Sequence, residues 1–255
     1  MPKTILLSLL LILVSCGSNI TPKKLLSDTF DDLKKEKSDV ESYKDRYGVT
    51  NVTDKIVDNV GEGEERLYGA RNVRVLLYGI SYRGGANNYY HRDNPRNNMN
   101  PLPEDGLMNL CQEGFKKAVY LYTTRFETAT KTTSCSSFRD SESVLNYYKL
   151  PPENTNNMYK ILEMTYQAIL DQNQGPIYIH CWNGWHASGL ASAITLRQFC
   201  SYDAEKAVRY WDANTDGNNT DPNYQRIRDK IRAFEPYPEF TIQPIIQTII
   251  CPDFE

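Results

Sequence analysis

The stretch of sequence that decides the fold runs from His180 to Gly189 and reads HCWNGWHASG. It follows a short apolar run, Ile177 to Ile179, which predicts a buried β-strand, and it leads into a segment of helical periodicity. A turn between a strand and a helix N-terminus points several backbone N–H groups at one spot, where the helix-end partial charge favours an anion. The same field favours the thiolate form of a cysteine. The stretch therefore predicts an anion-binding loop with Cys181 as its nucleophile.

This loop resembles the phosphate-binding loop of the protein tyrosine phosphatase superfamily, dual-specificity type, whose pattern is His-Cys-x-x-Gly-x-x-Arg-Ser/Thr-Gly. Besides Cys181 and His186, the predicted anion-binding loop consists of His180, Trp182, Asn183, Gly184, Trp185, Ala187, Ser188 and Gly189. Ala187 stands where the family places its phosphate-clamping arginine. The resemblance covers roughly residues 70 to 200 and implies an α/β fold with a central, mostly parallel sheet flanked by helices.

The missing arginine bears directly on activity. An arginine there places a bidentate charge on the transferring phosphoryl group, and removing one well-placed transition-state donor lowers a rate roughly a hundred- to a thousandfold. The sequence therefore favours a protein that binds a phosphate-like anion with weak or no phosphatase activity. Two alternatives remain open: an active phosphatase that forms a phosphocysteine and uses another cation, and a thiol or redox protein.

Several cations are available to replace the arginine. His186 adjoins the vacant position, and Arg83, Arg125 and Arg139 lie on other segments. Alternatively, His186 and Trp185 fill the volume that an arginine would occupy.

The resemblance also implies a general acid on a loop some thirty to forty residues before the cysteine. Glu153, just before a helix predicted over 157–173, is the candidate, and Asp140 and Glu142 are alternatives on an earlier loop. Glu153 also fits a helix-start residue that the macrodipole favours.

The N-terminal residues predict the location. Lys3 precedes the apolar run Ile5 to Val14, and LVSCG at 13–17 resembles the lipobox of bacterial lipoproteins. We expect residues 1–15 to be a lipoprotein signal peptide and Cys16 to carry the lipid anchor, which places the protein outside the cytoplasm on the bacterial cell envelope, at the outer membrane if the cell is Gram-negative. An ordinary secretory signal or a short membrane helix is the alternative, but the run is shorter than the ~20 residues that span a bilayer.

The remaining sequence predicts a tether and N-terminal extension over 16–66 and a phosphatase-like domain over 67–255 that ends in a helical extension. A net charge of −3 argues against a nucleic-acid binder. The expected partners are a phosphorylated or other anionic ligand and, through Cys16, a membrane; no cofactor is predicted. Ahead of the loop we expect a strand over Val73–Ile80, a turn at Tyr82–Asn87, a helix over Leu102–Glu113 and a strand ending at Leu121.

The chain has six cysteines. If Cys16 is lipidated, an odd number remains, which in an oxidising compartment indicates two disulfides and one free thiol. The free thiol is assigned to Cys181. Sequence does not decide the pairing, and Cys200 also fits a buried thiol; our working prediction pairs neighbours, Cys111 with Cys135 and Cys200 with Cys251.

Two patterns bear on metals. Residues 212–221 begin with the Asp, Asn, Asp and Gly spacing of a calcium loop, but Asn223 occupies the position of the final bidentate acid, so an ordinary turn is favoured. His180, Cys181 and His186 lack the second cluster that a closed zinc site needs. No metal site is predicted.

Overall fold

The computed structural model describes residues 40–96 and 100–254, so the predicted signal peptide and Cys16 lie outside the described residues. Six strands form one sheet in the order β1-β2-β6-β3-β5-β4. The four central strands are parallel, and β1 and β4 pair antiparallel at the two edges. The strands are β1 (Ala70–Leu77), β2 (Ser81–Ala86), β3 (Lys117–Tyr120), β4 (Thr132–Cys135), β5 (Ser143–Lys149) and β6 (Ile177–Cys181). The predicted α/β architecture with a mostly parallel sheet is confirmed.

Helices cover both faces of this sheet. They are α1 (residues 40–47), α2 (Glu104–Gln112), α3 (Thr155–Leu170), α4 (His186–Phe199), α5 (Ala204–Ala213), α6 (Gln225–Ala233) and α7 (Pro244–Ile250). Helix α4 packs on β6 and β2, and α3, α5 and α6 pack against α4. Within the described residues, no helix is long and apolar enough to cross a bilayer.

Side-chain alternation along β6 decides which way Cys181 points. Tyr178 and His180 share one face of the strand, where a row of aromatic rings continues through Phe115 and Tyr82 to Tyr43 of α1. Residues 177, 179 and 181 share the other face, which α4 covers. Cys181, the last residue of β6, therefore lies next to the start of α4.

Two sequence-based expectations need correction. The predicted turn at Tyr82–Asn87 is largely strand, because Ser81–Ala86 form β2 between β1 and β6. The predicted tether extends too far, since Val40 and Tyr43 of α1 are each 1% exposed and the Tyr43 hydroxyl donates to the Glu113 carbonyl at 3.0 Å. Residues 40–66 therefore belong to the packed domain, and the boundary at residue 67 is too late.

The predicted disulfide pairing is confirmed. Cys111 bonds Cys135 with a Cα–Cα distance of 6.1 Å, and Cys200 bonds Cys251 with a Cα–Cα distance of 5.7 Å. Among the described cysteines, Cys181 alone is free, and it is buried. The second disulfide ties the end of α4 to the segment after α7.

Candidate functional site

The turn between β6 and α4 lies backbone against backbone on β2. Gly184 adopts a left-handed conformation (φ +79°), and a Cβ there would lie 2.7 Å from the carbonyl carbon of Gly84. A Cβ on Gly85 would overlap the Trp182 carbonyl oxygen and lie 2.7 Å from the carbonyl carbon of Asn183. Glycine at these positions permits a close approach that any side chain would prevent.

The first turn of α4 carries free backbone donors. Trp185 is the N-cap residue, but its side chain makes no capping hydrogen bond, and the Gly189 N–H is bonded to the Trp185 carbonyl at 3.1 Å. The N–H groups of His186, Ala187 and Ser188 precede that bond and have no partner within the helix. This end of α4 therefore presents positive partial charge beside Cys181.

Cys181 and Ser188 contact each other at the base of the loop. The Cys181 Sγ lies 3.4 Å from the Ser188 Oγ, the cysteine is 3% exposed and the serine is fully buried. A hydroxyl in this position can donate to the sulfur and stabilise negative charge on it.

Arg83 of β2 holds the loop from beneath. Its Nη2 donates to the Gly184 carbonyl, to the Trp185 carbonyl at 3.2 Å and to the Ser188 Oγ at 3.3 Å. Because each peptide is planar and trans, carbonyls that point to Arg83 turn the following N–H groups away from it, towards the anion position. The guanidinium is fully buried, its Nε and Nη1 have no hydrogen-bond partner, and no carboxylate in the described chain pairs with it.

Arg71 of β1 is a second cation at the loop, and the sequence analysis did not identify it. Its Nε donates to the Trp182 carbonyl at 3.3 Å, its Nη2 donates to the Asn183 Oδ1, and the side chain of neighbouring Asn72 donates to the Asn183 carbonyl at 3.0 Å. Burial lowers the pKa of Arg71, and electrostatic interactions with Tyr90 and Cys181 oppose that shift. The only available signal was a run of polar residues in a buried strand.

The other two predicted cations lie elsewhere. Arg139 packs 5.8 Å from the ring centroid of Tyr43, beside the amino-terminal end of β3, whereas the loop follows the carboxyl end of β6. Arg125 lines a separate cavity with Arg96 and Glu104 that no residue of the loop lines. The expectation that either arginine replaces the clamp is therefore corrected.

His186 does not supply a replacement charge either. Its Nε2 donates to the Asn218 carbonyl at 2.5 Å, and its ring stacks on Tyr224 with 4.1 Å between centroids. Burial lowers its pKa, although the hydrogen bond to Asn218 opposes the shift. The imidazole is neutral near pH 7 and fills space beside Ala187, which corrects the prediction of His186 as a cation.

His180 orients the backbone of Cys181. Its Nδ1 donates to the Cys181 carbonyl at 3.1 Å, and the Tyr147 hydroxyl donates to its Nε2 at 2.8 Å. Burial lowers the pKa of His180 to about 3, so the ring is neutral and both hydrogen bonds persist near pH 7.

Two of the three acids in 212–221 pair with cations. Asp212 pairs with Arg228 at 2.6 Å, and Asp216 pairs with Lys55 at 2.9 Å and Arg74 at 3.1 Å. The segment forms the connection between α5 and α6, as the turn interpretation expects. In the part of the chain that is described, no three His, Cys, Asp or Glu side chains are grouped so as to hold a metal.

A cavity of about 280 Å³ opens beside Ala187. It is lined by Tyr122, Glu153, His186, Ala187, Leu190, Tyr224, Arg226, Ile227 and Lys230. The structure thus brings the candidate acid Glu153 together with the vacant clamp position, whereas the alternative Asp140 pairs with Lys116 at 2.7 Å ahead of β3. Tyr122, which lines the cavity, stacks on Trp182 of the loop with 4.9 Å between ring centroids.

Comparisons with known proteins add little to this geometry. The crystal structure of P. aeruginosa TpbA is similar over 63% of this chain and 86% of its own, at 15% sequence identity and a TM-score of 0.39. Neither a family model nor a curated protein sequence matches the chain. Similarity at this level assigns no family.

Proposed function

We propose that this protein binds a phosphate-like anion at the loop 181–189, on a phosphatase-like fold, and that its cysteine-dependent phosphatase activity is weak or lost. The carrying observation is the free Cys181 beside the uncapped start of α4, with Arg83 beneath the loop and Ala187 in place of the clamp. We also propose that Cys16 anchors the chain by lipid to the bacterial cell envelope, so that the ligand is extracytoplasmic.

Charge balance supports anion binding. A fully buried guanidinium without a carboxylate partner is costly unless another anion or several dipoles compensate it. Within the described residues, the Arg83 Nη2 donates only to two carbonyls and the Ser188 hydroxyl. An oxyanion at the loop, or a thiolate on Cys181, compensates this charge.

Weak activity is expected because the loop lacks a cation that could contact the phosphoryl oxygens facing away from Cys181. Arg83 and Arg71 bind loop carbonyls and side chains from behind, and His186 is neutral, so no loop side chain offers the planar bidentate charge that stabilises a transferring phosphoryl group. Backbone N–H groups alone bind ground state and transition state more evenly, which favours binding over turnover.

A second candidate function rests on the 3.4 Å contact between Cys181 and Ser188. In an active enzyme the Cys181 thiolate would attack phosphorus and form a phosphocysteine, Glu153 would protonate the departing oxygen, and water would then release phosphate. A thiol-exchange role is less favoured, because a sulfur that is 3% exposed offers little access to a second thiol.

The test is tungstate binding by calorimetry and aryl phosphate hydrolysis at pH 5 to 8, using the full chain in detergent. We expect wild-type protein to bind tungstate with little turnover, and Ala187→Arg to raise turnover at least about a hundredfold. The double variant Ala187→Arg, Cys181→Ser should be inactive. Strong wild-type turnover that Cys181→Ser abolishes would establish the enzyme instead, and absence of tungstate binding would overturn anion binding.

A further inference from the structure

Helix α6 presents two cations to the cavity beside Ala187. Arg226 and Lys230 both line it, at the i, i+4 spacing that places side chains on one face of a helix. They come from a segment 40 or so residues after the loop, outside the stretch that resembles any phosphatase motif. Ala187 lines the same cavity, so these charges adjoin the position that the loop leaves without an arginine.

The two cations differ from their neighbours on α6 in having no ionic partner. Arg228 pairs with Asp212 at 2.6 Å, and Arg232 pairs with Glu205 at 2.7 Å. Neither Arg226 nor Lys230 makes an ion pair or hydrogen bond to any residue in the described chain. Their charge therefore remains available to a ligand.

The helix that carries them is fixed in place. Ile227 and Ile231 are buried, and the ion pair between Arg228 and Asp212 joins α6 to the end of α5. Arg197 of α4 also donates to the Ile231 carbonyl at 2.5 Å. Helix α4 begins at the loop and also contacts α6, and residues of both helices line the cavity. The two cations are therefore held at a fixed position relative to the loop.

We propose that Arg226 and Lys230 close the anion site from α6 in place of the missing loop arginine. This inference rests on the proposed function. The ligand is a tetrahedral oxyanion with at least two negative charges, such as a phosphate monoester: the start of α4 binds its inner oxygens, and the α6 cations bind its outer oxygens. Glu153 is the single carboxylate that lines the cavity, so the cations outnumber the acids.

The proposal also explains what an alanine does at position 187. Its methyl group leaves open the space through which side chains from α6 reach the loop, whereas an arginine there would occupy that space and supply the charge itself. The two arrangements are thus alternatives. An arginine at 187 should make the α6 cations dispensable.

The experiment measures the Kd for tungstate by calorimetry at fixed ionic strength, on the full chain in detergent. The variants are Arg226→Gln, Lys230→Gln and the double variant. Matched controls are Arg209→Gln on α5 and Lys160→Gln on α3, which remove the same charge from exposed positions outside the cavity. Loss of a charge-assisted hydrogen bond should raise Kd about tenfold or more for Arg226→Gln, and further for the double variant. The controls should change Kd by less than about twofold. Adding Ala187→Arg to the double variant should restore binding.

The outcomes separate this inference from the function on which it rests. If the α6 variants bind tungstate as tightly as wild type, the role proposed for Arg226 and Lys230 is overturned, whereas the anion site itself remains. Equal weakening by the control variants would show long-range charge rather than contact, and would also overturn it. Absence of wild-type binding would remove the proposed function itself. Unchanged thermal unfolding of each variant checks that the fold persists.

Discussion

The indole N–H of Trp185 donates to the carboxylate of Asp216 at 3.0 Å, and this hydrogen bond joins the loop 181–189 to the turn after α5. Lys55 and the buried Arg74 pair with the same carboxylate. Residues 212–221, whose spacing begins like that of a calcium loop, therefore brace the loop 181–189. The charge of Asp216 is balanced by Lys55 and Arg74.

Replacing Asp216 with Asn should destabilise the fold and loosen the loop. Burial favours the neutral acid, but hydrogen bonds from Lys55 and Trp185 and the charge of Arg74 lower its pKa overall. A lowered carboxyl pKa stabilises the fold above the unfolded value and loses that effect as pH falls through the folded value. We expect Asp216→Asn to reduce the free energy of unfolding by about 1 to 2 kcal/mol at pH 7, less than for a fully buried pair, because the carboxylate is partly exposed.

Urea unfolding at pH 7 and at pH 3 measures this difference, which should shrink at the lower pH. Glu163→Gln, on the exposed side of α3, is the matched control and should change stability by less than about 0.5 kcal/mol. An Asp216→Asn protein as stable as wild type would show that the brace contributes nothing.

Gly85→Ala should displace the loop. The new methyl group would overlap the Trp182 carbonyl oxygen, so loop or strand must move, at a cost of about 1 to 3 kcal/mol. Tungstate affinity should fall with stability, measured by calorimetry and thermal unfolding. Gly217→Ala is the control, because a Cβ there meets open space and only the positive φ is penalised. Full affinity in Gly85→Ala would contradict the backbone contact.

His180 should make stability depend on pH. Burial lowers its pKa to about 3, whereas an unfolded histidine titrates near 6.5, so below pH 6.5 the unfolded state binds a proton that the native state excludes. Lowering the pH from 7 to 5 should cost about 2 kcal/mol through this residue. Denaturant unfolding across this window should show a shallower slope for His180→Gln, whose amide oxygen can still accept from Tyr147. Equal slopes in wild type and His180→Gln would argue against a neutral buried ring.

Thiol labelling should distinguish the free Cys181 from the four disulfide-bonded cysteines. Alkylation of the denatured, non-reduced chain should label Cys181 and leave the four disulfide-bonded cysteines unlabelled until reduction. Replacing Cys111 and Cys135 together by Ser should lower the free energy of unfolding by about 2 to 4 kcal/mol, and Cys181→Ser by much less. Mass spectrometry and denaturant titration provide the readouts. Label at Cys200 or Cys251 before reduction would refute the pairing.

The local parts of this site could be predicted from sequence. A strand, a glycine turn and a helix start are contiguous, so the apolar run before Cys181 and the Ser-Gly after it were sufficient. The odd number of cysteines predicted two disulfides and one free thiol, but the sequence did not decide which cysteines pair.

The long-range parts could not be predicted. Arg71 meets Trp182 across 111 residues, through a sheet order that no local pattern encodes. Arg226 and Lys230 lie on a helix whose alternating charges look like any solvated face. Composition was also misleading for two ordered elements. The glycines of β2 are typical of a turn, and the charges of α1 are typical of a tether. Tertiary packing makes the first a strand and the second a helix.

The contact of Gly84 and Gly85 with the loop offers a means of detecting related proteins. The close approach requires glycine on β2 and in the turn after β6, so it leaves a trace in two places: Arg-Gly-Gly on one strand, and His-Cys-x-x-Gly where the parallel neighbour ends in its turn. Neither half includes the clamping arginine. A genome search with this paired signature would recover chains that have this loop whether or not an arginine stands at the position of Ala187.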